Sequence, residues 1–587
     1  MTILGISLSH DGTLSIIKNG EHVFSIGEER LNRKKAYIGF PFEALENLKH
    51  SEYVNLNDID MVAISESIFI ESWAYTYAFQ LTENKTYYDL QNELKPKNFF
   101  IDDKDYLKIK SDAECKIYVK NKIKKLLNKN GINAPVEYIN HHTSHAASAY
   151  YSSGFDQALA ITMDGEGDLL SATVNVCKDG IIKKISETSK DHSAGYLYSE
   201  VTKRCGYKIS RHEGKITGLA AYGNYKKHEN VFDGLTEVKN GTLKYVNRVN
   251  QSKLNRIKNK LYNIFGFNFY MGHEELIHRV GNLSNEDLSA SIQNHLEKRI
   301  VEIVKYWIQK TGIKKIVLAG GVFANVKFNQ YISEIDDVQD LFIFPDMGDG
   351  GNAFGAACYV YFQKNKFNSK KFKIKNVYFG PSYDNNYVKK VLNQKIDKIS
   401  FYKSENIAHD TARLIADGKI IGWFQGRMEY GPRALGNRSI IASPTDRNIN
   451  NWLNKRMKRT EFMPFAPSCL YEKADDLFKI PKQSLKFPAE FMTITFEMND
   501  EWVKKAPAIS HIDNTARPQL VRKEANPKYY KLLSEYYKIT GLPLFINTSF
   551  NVHEEPIVCK PEQGLDALLD SVIDVFVCND FICRLKD

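Results

Sequence analysis

Two histidines in the stretch HHTSHAASAYY stand four residues apart and are the strongest metal-binding signal of the sequence. On a helix, His141 and His145 project from one face and can share a metal ion, whereas His142 points elsewhere and has a structural or supporting role. Asp164 follows the apolar run ALAITM, where a predicted strand ends, and ligands collect at strand ends in α/β sheets. Its carboxylate either completes an open metal site or caps a glycine-rich turn.

Two glycine-rich stretches after predicted strands are candidates for binding phosphate or metal. Gly320 and Gly321 follow the run IVLA, and Asn325 opens the next segment, so backbone N–H groups and a helix N-terminus can face a phosphate. A pair of glycines is also an ordinary turn signal. In FPDMGDGGNAFGAA, Asp346 or Asp349 could ligate a metal or orient a ribose, and the flanking glycines favour Asp349.

Two further basic residues stand in a turn or at a helix start. Lys215, in RHEGKITGLAAYG, either binds an anion or lies at the surface. His10, in SLSHDG, lies in a tight turn between two predicted strands. There a neutral imidazole could take a proton from a hydroxyl, or the ring could cap the turn.

The C-terminal part of the sequence places cations in glycine- and proline-rich turns. GRMEYGPRALGNRS contains Arg427, Arg433 and Arg438, and DNTARPQ contains Arg517. Surface helices tend to pair such charges with carboxylates at i,i+4, which these stretches mostly do not. Cations in turns beside hydroxyl and amide groups suit several phosphates at once, which predicts a polyphosphate site. The further candidates for this site are Lys458, Arg459, Asn547 and Ser549.

Strands alternating with helices must position these residues. The predicted strands lie at residues 3–7, 14–18, 22–26, 158–163, 316–319, 420–424, 543–546 and 575–577. Asn19-Gly20 predicts a hairpin turn. Residues 287–310 and 407–417 have the pattern of helices. This alternation, together with the hairpin, predicts a mixed α/β (α+β) protein.

The chain is longer than a single domain. At 587 residues it exceeds the roughly 250–300 residues at which one hydrophobic core stops growing. Residues 366–375 are basic and poor in apolar side chains, and they form the predicted linker between domains at 1–365 and 376–587. The net charge of +10 permits anionic substrates without demanding a nucleic acid.

Composition also indicates the compartment. The eight cysteines are scattered without a C-x-x-C pair, which predicts a reduced protein without a disulfide framework or a zinc ribbon. The N-terminus lacks the basic and apolar regions of a signal peptide. No apolar run reaches the about 20 residues of a membrane span. We therefore expect a soluble, cytoplasmic protein with no membrane partner.

The order of the motifs resembles that of the O-carbamoyltransferase family, which includes nodulation carbamoyltransferases and antibiotic enzymes such as that of the tobramycin pathway. The resemblance covers nearly the whole chain. It rests on the motifs SHDGTLS, GEERLNRKK, HHTSHAASAYYSSGF, MDGEGD, EGKITGLAAYG, GGVFAN, GDGGNAFGAA, GPRALGNRS, TEFMPFAPS, TARPQ and NTSFN.

This resemblance implies a fold and a reaction. It implies an N-terminal domain of the actin-like ATPase fold, similar to threonylcarbamoyl transferases, and a C-terminal YrdC-like domain. The C-terminal domain is then expected to make carbamoyl adenylate from carbamoyl phosphate and ATP, with Mg²⁺ accompanying the ATP. The N-terminal domain is expected to hold a divalent metal, which the family suggests is iron, and to transfer the carbamoyl group to a hydroxyl.

The resemblance also implies roles for residues. Those matching the family's metal ligands are His141, His145, Asp164 and Asp349, and His10 matches the histidine proposed to act at the acceptor hydroxyl. Residues expected at the N-terminal nucleotide site are Lys215, Gly320, Gly321 and Asn325. Those expected at the carbamoyl phosphate and ATP site are Arg433, Lys458, Arg459, Arg517, Asn547 and Ser549.

This chain departs from the family at one motif. Many relatives have K-x-R-E-x-F-R-P, whereas this chain keeps Arg459 but has Met457 in place of the lysine. Thr460 and Met463 replace the glutamate and the second arginine. The lysine role falls to Lys458, to Lys455 or to neither.

The expected partner is a small molecule with a hydroxyl group, such as a sugar, a nucleoside or a secondary metabolite. A homodimer is compatible with the sequence, and no nucleic-acid partner is expected. Two other interpretations remain: a threonylcarbamoyl-type transferase that acts on tRNA, and an actin-like ATP-binding regulator without transfer chemistry. The second leaves the C-terminal arginines unexplained.

Overall fold

The computed structural model describes residues 1–65, 112–246, 280–367, 373–458, 465–552 and 554–586. Within these residues the chain forms three large β-sheets surrounded by helices. The mixed α/β class predicted from the sequence is therefore confirmed. None of the described helices is long and apolar enough to cross a membrane.

The first sheet has five strands in the order β3-β2-β1-β4-β5. The first three strands form an antiparallel meander, and β4 and β5 run parallel to β1. The predicted strands at 3–7, 14–18 and 22–26 all lie here, and Asn19 and Gly20 form the turn between β2 and β3 with positive φ. The strands are β1 (Thr2–Ser7), β2 (Thr13–Lys18), β3 (Glu21–Gly27), β4 (Met61–Ser65) and β5 (Val136–Ile139).

The second sheet repeats the first. Its order is β12-β11-β6-β7-β8, in which β6, β7 and β8 form the antiparallel meander and β11 and β12 run parallel to β6. A separate hairpin joins β9 and β10. The strands are β6 (Gln157–Gly167), β7 (Leu170–Lys178), β8 (Ile181–Ser189), β9 (Thr236–Lys239), β10 (Thr242–Tyr245), β11 (Lys315–Ala319) and β12 (Asp340–Ile343).

Nine helices accompany these two sheets in the described part of the N-terminal half. They are α1 (Glu28–Asn32), α2 (Phe42–Lys49), α3 (Asp112–Lys129), α4 (His141–Ser153), α5 (Ala194–Arg204), α6 (Glu213–Ala220), α7 (Asn285–Thr311), α8 (Val326–Ser333) and α9 (Asn352–Lys364). The helix predicted at 287–310 is α7.

Helices α4 and α9 share one hydrophobic core with strands of both sheets. The packing is close: a Cβ on Gly355 of α9 would lie 1.9 Å from the Ser144 carbonyl oxygen of α4. A Cβ on Gly5 of β1 would lie 1.9 Å from the Ala353 carbonyl oxygen. Because only glycine fits at these contacts, the start of α9 is fixed against both α4 and the first sheet.

The third sheet has eight strands and belongs to the C-terminal half. Its order is β13-β22-β21-β14-β15-β20-β16-β19, with parallel and antiparallel pairs. The strands are β13 (Ile399–Lys403), β14 (Ile421–Phe424), β15 (Arg438–Ala442), β16 (Ala466–Leu470), β17 (Phe496–Glu497), β18 (Thr515–Ala516), β19 (Gln519–Val521), β20 (Leu544–Ser549), β21 (Val575–Cys578) and β22 (Phe581–Leu585), of which β17 and β18 form a separate pair.

The helices of the C-terminal half are α10 (Asn385–Asn393), α11 (Ile407–Ala416), α12 (Ile449–Arg456), α13 (Ala474–Leu477), α14 (Lys486–Ala489), α15 (Asp500–Lys505), α16 (Pro527–Thr540) and α17 (Pro561–Leu569). The predicted helix at 407–417 and the strands at 420–424, 543–546 and 575–577 are confirmed as α11, β14, β20 and β21.

The two halves are packed together rather than joined only by a tether. Tyr430 and Leu435 of the C-terminal half lie in the same core as Phe354 of α9. The chain leaves α9 at Lys364, and Ile374, further along, is buried and donates its N–H to Ser152 of α4. Part of the predicted linker at 366–375 lies outside the described residues, so the division at 1–365 and 376–587 stays a prediction.

Candidate metal centre and anion site

The histidine helix α4 is capped by the residue before it. The Asn140 side chain accepts the N–H of Thr143 at 3.1 Å, and it donates to Asp168 at 2.6 Å. Asp168 also accepts the N–H of His141 at 2.7 Å. These contacts fix the first turn, so that His141 and His145 present their Nε2 atoms to the same point, 3.1 Å apart. Both imidazoles are completely buried.

Two aspartates meet these histidines. Asp164 Oδ2 lies 3.1 Å from the Nε2 of His145 and 3.7 Å from that of His141. Asp349 Oδ1 lies 3.5 Å from both nitrogens. The four ligand atoms lie within 4.8 Å of one another, as expected for residues that bind one metal ion. The structure therefore brings together all four predicted metal ligands.

Asp164 does not stand after its strand, as the sequence suggested, but inside it. Strand β6 continues to Gly167, with a shift in register between Met163 and Gly167. Such a bulge changes the direction of a side chain within a strand. Burial raises the pKa of Asp164, but hydrogen bonds and charges from His141 and His145 outweigh it and hold the pKa well below its usual range.

Neighbouring donors hold the two carboxylates. The N–H groups of Gly165 and Gly321 donate to Asp164 at 2.7 and 3.1 Å. The Ser9 hydroxyl donates to Asp349 at 3.0 Å. Asp346, the other aspartate considered, is not a member of the cluster, and burial raises its pKa well above its usual range. The choice of Asp349 from its flanking glycines agrees with this geometry.

His142 points away from the cluster, as the helical spacing predicted. Its Nδ1 lies 2.8 Å from the Thr162 hydroxyl, and its Nε2 lies 3.1 Å from the Leu170 carbonyl oxygen. Burial lowers the pKa of His142 to about 3. This neutral imidazole ties α4 to the second sheet.

His10 lies beside the cluster, in the turn between β1 and β2. Its Nδ1 is 3.0 Å from Asp11, which adopts positive φ. Burial by itself lowers the pKa of His10, but Asp11, with the charges of Asp349 and Asp164, raises it to about 10. A role for His10 at an acceptor hydroxyl stays a prediction.

The turn from Gly320 to Asn325 begins at the metal ligands. Gly320 has a φ of 105°, and a Cβ there would lie 2.1 Å from the Met163 carbonyl oxygen, so the turn requires glycine. The Asn325 side chain caps α8 by accepting the N–H groups of Lys327 and Phe328. It also donates to Gln293 at 2.8 Å, so its amide already has several protein partners.

Lys215 is a buried residue of α6 and not the surface residue that the alternative interpretation described. Its ammonium group lies 5.2 Å from the centre of the Tyr207 ring. A cation over an aromatic ring is a stabilising contact. A role for Lys215 in binding a nucleotide stays a prediction.

The arginines of the C-terminal turns divide into two kinds. Arg427 donates to the carbonyl oxygens of Val23 and Gly380, and Arg438 is fully buried and donates to those of Gln425 and Asn437. These two guanidinium groups are structural, contrary to the sequence interpretation, which grouped them with the phosphate-binding cations.

Arg433 and Arg517 have fewer protein partners than Arg427 and Arg438. In the described part of the chain neither forms an ion pair, and the Nε of each is buried without a hydrogen-bond partner. Burial lowers the pKa of Arg433 to about 10. Burial, and then the positive charge of Arg433, lowers the pKa of Arg517 well below its usual range. Two neighbouring, partly buried cations without a carboxylate partner among the described residues make a candidate site for an anion.

Arg433 also reaches the N-terminal half. Its Nη2 lies 3.4 Å from the carbonyl oxygen of Ala324, in the turn that begins at Gly320. The N–H of Gly321, at the other end of this turn, donates to Asp164. The metal cluster and the arginine pair therefore lie on opposite ends of one short turn.

A buried carboxylate holds the loop that carries Arg433. Glu429 Oε1 accepts the backbone N–H groups of Leu435, Asn437 and Arg438 at 2.7–2.9 Å. Sequence reasoning missed Glu429. The signal that could have found it is a lone acid directly before a glycine- and proline-rich loop with many backbone N–H groups to satisfy.

The remaining predicted residues of this site have different surroundings. Asn547 is buried and donates to Ala434 and Gln519, so it supports the same loop. Ser549 ends β20 and is partly buried. Lys458 is exposed just after α12, as is Lys455 within it, and Arg459 lies outside the described residues. The roles of these residues stay predictions.

Comparison with known proteins decides the family. The protein-family model described as "Carbamoyltransferase N-terminus" matches residues 2–358. The family model described as "Carbamoyltransferase C-terminus" matches residues 412–584. The chain belongs to the carbamoyltransferase family. It is therefore an enzyme, a carbamoyltransferase, and the resemblance seen in the order of the motifs is confirmed.

Relatives of this carbamoyltransferase are similar over almost its whole length. Nodulation protein NolNO of Sinorhizobium fredii is 31% identical over 98% of this chain and 79% of its own. Nodulation protein U of the same organism is 27% identical over 94% of each chain. The protein MJ1058 of Methanocaldococcus jannaschii is 32% identical over 100% of this chain and 99% of its own.

Among solved structures, full-length HypF in its phosphate- and nucleotide-bound form is similar at 14% identity and a TM-score of 0.32. The similarity covers 63% of this chain and 56% of that chain.

Proposed function

We propose that this carbamoyltransferase is ATP-dependent and modifies a hydroxyl group in two steps. In the C-terminal half, water hydrolyses carbamoyl phosphate to carbamate and phosphate. The carbamate then attacks the α-phosphorus of ATP, which forms carbamoyl adenylate and releases pyrophosphate. In the N-terminal half, the carbamoyl group moves to an acceptor hydroxyl and AMP leaves. The observation that carries the proposal is the pairing, in one chain, of a cluster fit for a metal with a cationic pair fit for phosphates.

The finer fold assignments are part of this proposal. The two five-stranded sheets with one strand order support an actin-like N-terminal half, in which an internal repeat is expected. The mixed eight-stranded sheet supports a YrdC-like C-terminal half. The domain bounds 1–365 and 376–587 belong to the same proposal.

The N-terminal cluster fits a divalent metal. Its two imidazole nitrogens and two carboxylates suit iron, zinc or manganese, and we propose iron. When bound, the metal supplies a Lewis acid for the carbamoyl oxygen. Ser9 and Gly321 hold the carboxylates of Asp349 and Asp164 in place.

His10 is proposed to accept the proton of the acceptor hydroxyl. It serves as a base only when its imidazole is neutral. The carboxylates that raise its pKa are Asp11, Asp349 and Asp164. A cation held by Asp349 and Asp164 offsets part of their charge, which lowers the pKa of His10 and increases the share of neutral imidazole.

The arginine pair is proposed to bind the phosphates of carbamoyl phosphate and ATP, with Mg²⁺ accompanying the ATP. An anion between Arg433 and Arg517 removes their mutual repulsion and gives both guanidinium groups a partner. As pyrophosphate leaves, negative charge grows on the oxygen that linked the α- and β-phosphorus atoms of ATP. Two fixed cations stabilise that charge. Ser549 and Lys458 are proposed to complete the site.

The turn from Gly320 to Asn325 supports a direct path between the two steps. It contacts Asp164 at one end and Arg433 at the other. Carbamoyl adenylate is an activated carbamate that water destroys, so passage inside the protein favours transfer over hydrolysis. The proposed acceptor is a small hydroxylated molecule, and a homodimer is compatible with the proposal.

The first test supplies carbamoyl phosphate and ATP without an acceptor and measures pyrophosphate. Release above background is expected from the folded, metal-loaded enzyme, and its absence would contradict the adenylation step. The second test screens sugars, nucleosides and other hydroxylated metabolites with radiolabelled carbamoyl phosphate. A labelled, acid-stable product identifies the acceptor, and its formation is expected to require both ATP and metal.

A further inference from the structure

A fifth polar side chain, Asn352, lies against the metal cluster. It is the first residue of α9 and directly follows the turn Asp349–Gly351, which carries one of the ligands. Asn352 is completely buried. The close contact between Gly355 and Ser144 fixes this end of α9 against the histidine helix, so the position of the Asn352 carboxamide is set by the backbone.

The carboxamide faces the same nitrogen that the metal needs. Its Nδ2 lies 3.3 Å from the Nε2 of His145. Its Oδ1 is buried and has no hydrogen-bond partner among the described residues. A metal on the Nε2 of His145 uses the lone pair that would accept the hydrogen bond, so the N–H group loses its partner and points towards a cation.

Rotation of the carboxamide about its Cβ–Cγ bond resolves this conflict. The oxygen and nitrogen of an amide are nearly the same size, so the exchange needs no extra space. It replaces a donor that the cation repels with an oxygen that the cation attracts. The 3.3 Å distance to His145 falls within the 3.1–3.7 Å that separate the His145 and His141 nitrogens from each other and from Asp164 and Asp349.

We propose that Asn352 Oδ1 is a fifth, neutral protein ligand of the metal. The proposal rests on the metal centre of the proposed function and specifies it further. The five donors, two imidazole nitrogens and three oxygens, would suit iron or manganese, which accept more than four ligands, rather than zinc, which usually takes four. A neutral oxygen adds a bond without adding negative charge that would weaken the metal as a Lewis acid.

The test uses Co²⁺ as a spectroscopic probe bound to the metal-stripped full-length chain, without ATP, carbamoyl phosphate or acceptor. Asn352→Leu keeps the shape of the side chain and removes the oxygen. We expect Co²⁺ to bind at least about tenfold more weakly and its visible absorption to intensify, since a lower coordination number gives stronger bands. An unchanged affinity and spectrum would overturn the proposal, including the case in which Asn352 only donates to a bound substrate.

Asn352→Asp is the matched variant and keeps the oxygen while adding a charge. We expect it to bind Co²⁺ about tenfold or more tightly than the wild type and to keep the weak absorption of the higher coordination number. If Asn352→Leu does not fold, as thermal unfolding of the metal-free protein would reveal, Asn352→Asp decides alone: Co²⁺ affinity raised about tenfold or more supports a ligand, and an unchanged affinity contradicts it.

The result is separable from the fate of the proposed reaction. If the wild type binds Co²⁺ and the variants differ as expected, Asn352 is a ligand even if no carbamoyl transfer is found. If the wild type itself binds no Co²⁺, both the metal centre and the role of Asn352 fail. A matched control is Asn329→Leu, which removes another completely buried amide, one that donates to Phe323 and Thr493, and should leave the Co²⁺ spectrum unchanged.

Discussion

The two candidate sites are opposites in charge and in construction. The N-terminal cluster gathers nitrogen and carboxylate donors that face one point, and the C-terminal pair gathers guanidinium groups that face no carboxylate among the described residues. The ligands of the first site lie on a helix, a strand bulge and a turn. Arg433 instead lies on a loop that is wrapped around Glu429. Each site has partly buried charges that a ligand of the opposite sign would neutralise.

This contrast explains why each set of like charges destabilises the folded protein when its ligand is absent. Buried like charges repel each other, and burial removes the water that would screen them. Burial and the charge of Arg433 lower the pKa of Arg517 for this reason. The comparison predicts that damage to one site leaves the other intact, and the following experiments test that independence.

The largest effect is expected from His145→Ala. Loss of one histidine ligand of the metal should reduce carbamoyl transfer to the acceptor by more than about 100-fold. Pyrophosphate release from carbamoyl phosphate and ATP should change by less than about twofold, because the arginine pair is untouched. Metal content, transfer of radiolabel and pyrophosphate are measured on the same preparation. Wild-type protein stripped of its metal by a chelator, dialysed and then assayed with Mg²⁺ and ATP, should reproduce the pattern. Loss of both activities in the folded variant would contradict separate sites.

The reciprocal change is Arg517→Ala. Removing one of the two cations should lower pyrophosphate release about 100-fold, since a preorganised charge on the leaving phosphates is lost. The metal content should stay at the wild-type level. Arg517→Lys should recover only part of the rate because lysine cannot bind a phosphate through two parallel N–H groups. Retention of full pyrophosphate release in the alanine variant would remove Arg517 from the site.

A smaller effect is expected from Glu429→Gln, which weakens the hydrogen bonds that hold the Arg433 loop. Charge-assisted bonds to backbone N–H groups are about twice as strong as neutral ones. We expect the KM for carbamoyl phosphate to rise about tenfold, with a free energy of unfolding lower by about 1–3 kcal/mol. The control is Glu490→Gln, which alters a buried acid paired with Arg522 at 2.7 Å. Equal KM changes in both variants would mean that Glu429 has no specific positioning role.

The smallest expected effect is stabilisation by pyrophosphate. A ligand present at its Kd stabilises the folded state by about 0.4 kcal/mol. The anion also relieves the repulsion that lowers the pKa of Arg517. Thermal unfolding of the metal-free wild type should therefore shift upward with pyrophosphate, whereas Arg433→Ala should shift far less. The same shift in both proteins would place the anion elsewhere.

Much of this molecule could be predicted from local patterns. The hairpin at Asn19-Gly20 follows from residues that tolerate positive φ, and both do adopt it. The spacing of His141 and His145 places both imidazoles on one helix face, and their Nε2 atoms do lie 3.1 Å apart. The glycines around Asp349 correctly favoured it over Asp346. In each case a few consecutive residues contain the whole physical reason.

Other features could not be predicted because their cause lies far away in the sequence. The bulge that aims Asp164 depends on pairing between β6 and β7. Arg427 and Arg433 stand in the same motif, but Arg427 donates to Val23, 404 residues away, and Arg433 is left without an ion pair among the described residues. Composition counts both residues as cations and does not indicate which guanidinium group already has carbonyl partners within the fold.

The sequence by itself determined the class of fold, the order of the elements, the family and the donor types of the metal cluster, because these depend on periodicity and on motifs of adjacent residues. Only the tertiary structure decided which charges stay unsatisfied and which residues hold them in place. Glu429 and Asn352 illustrate the reason: a buried polar group is defined by the partners that packing brings to it, and those partners come from other elements or from the far side of a loop.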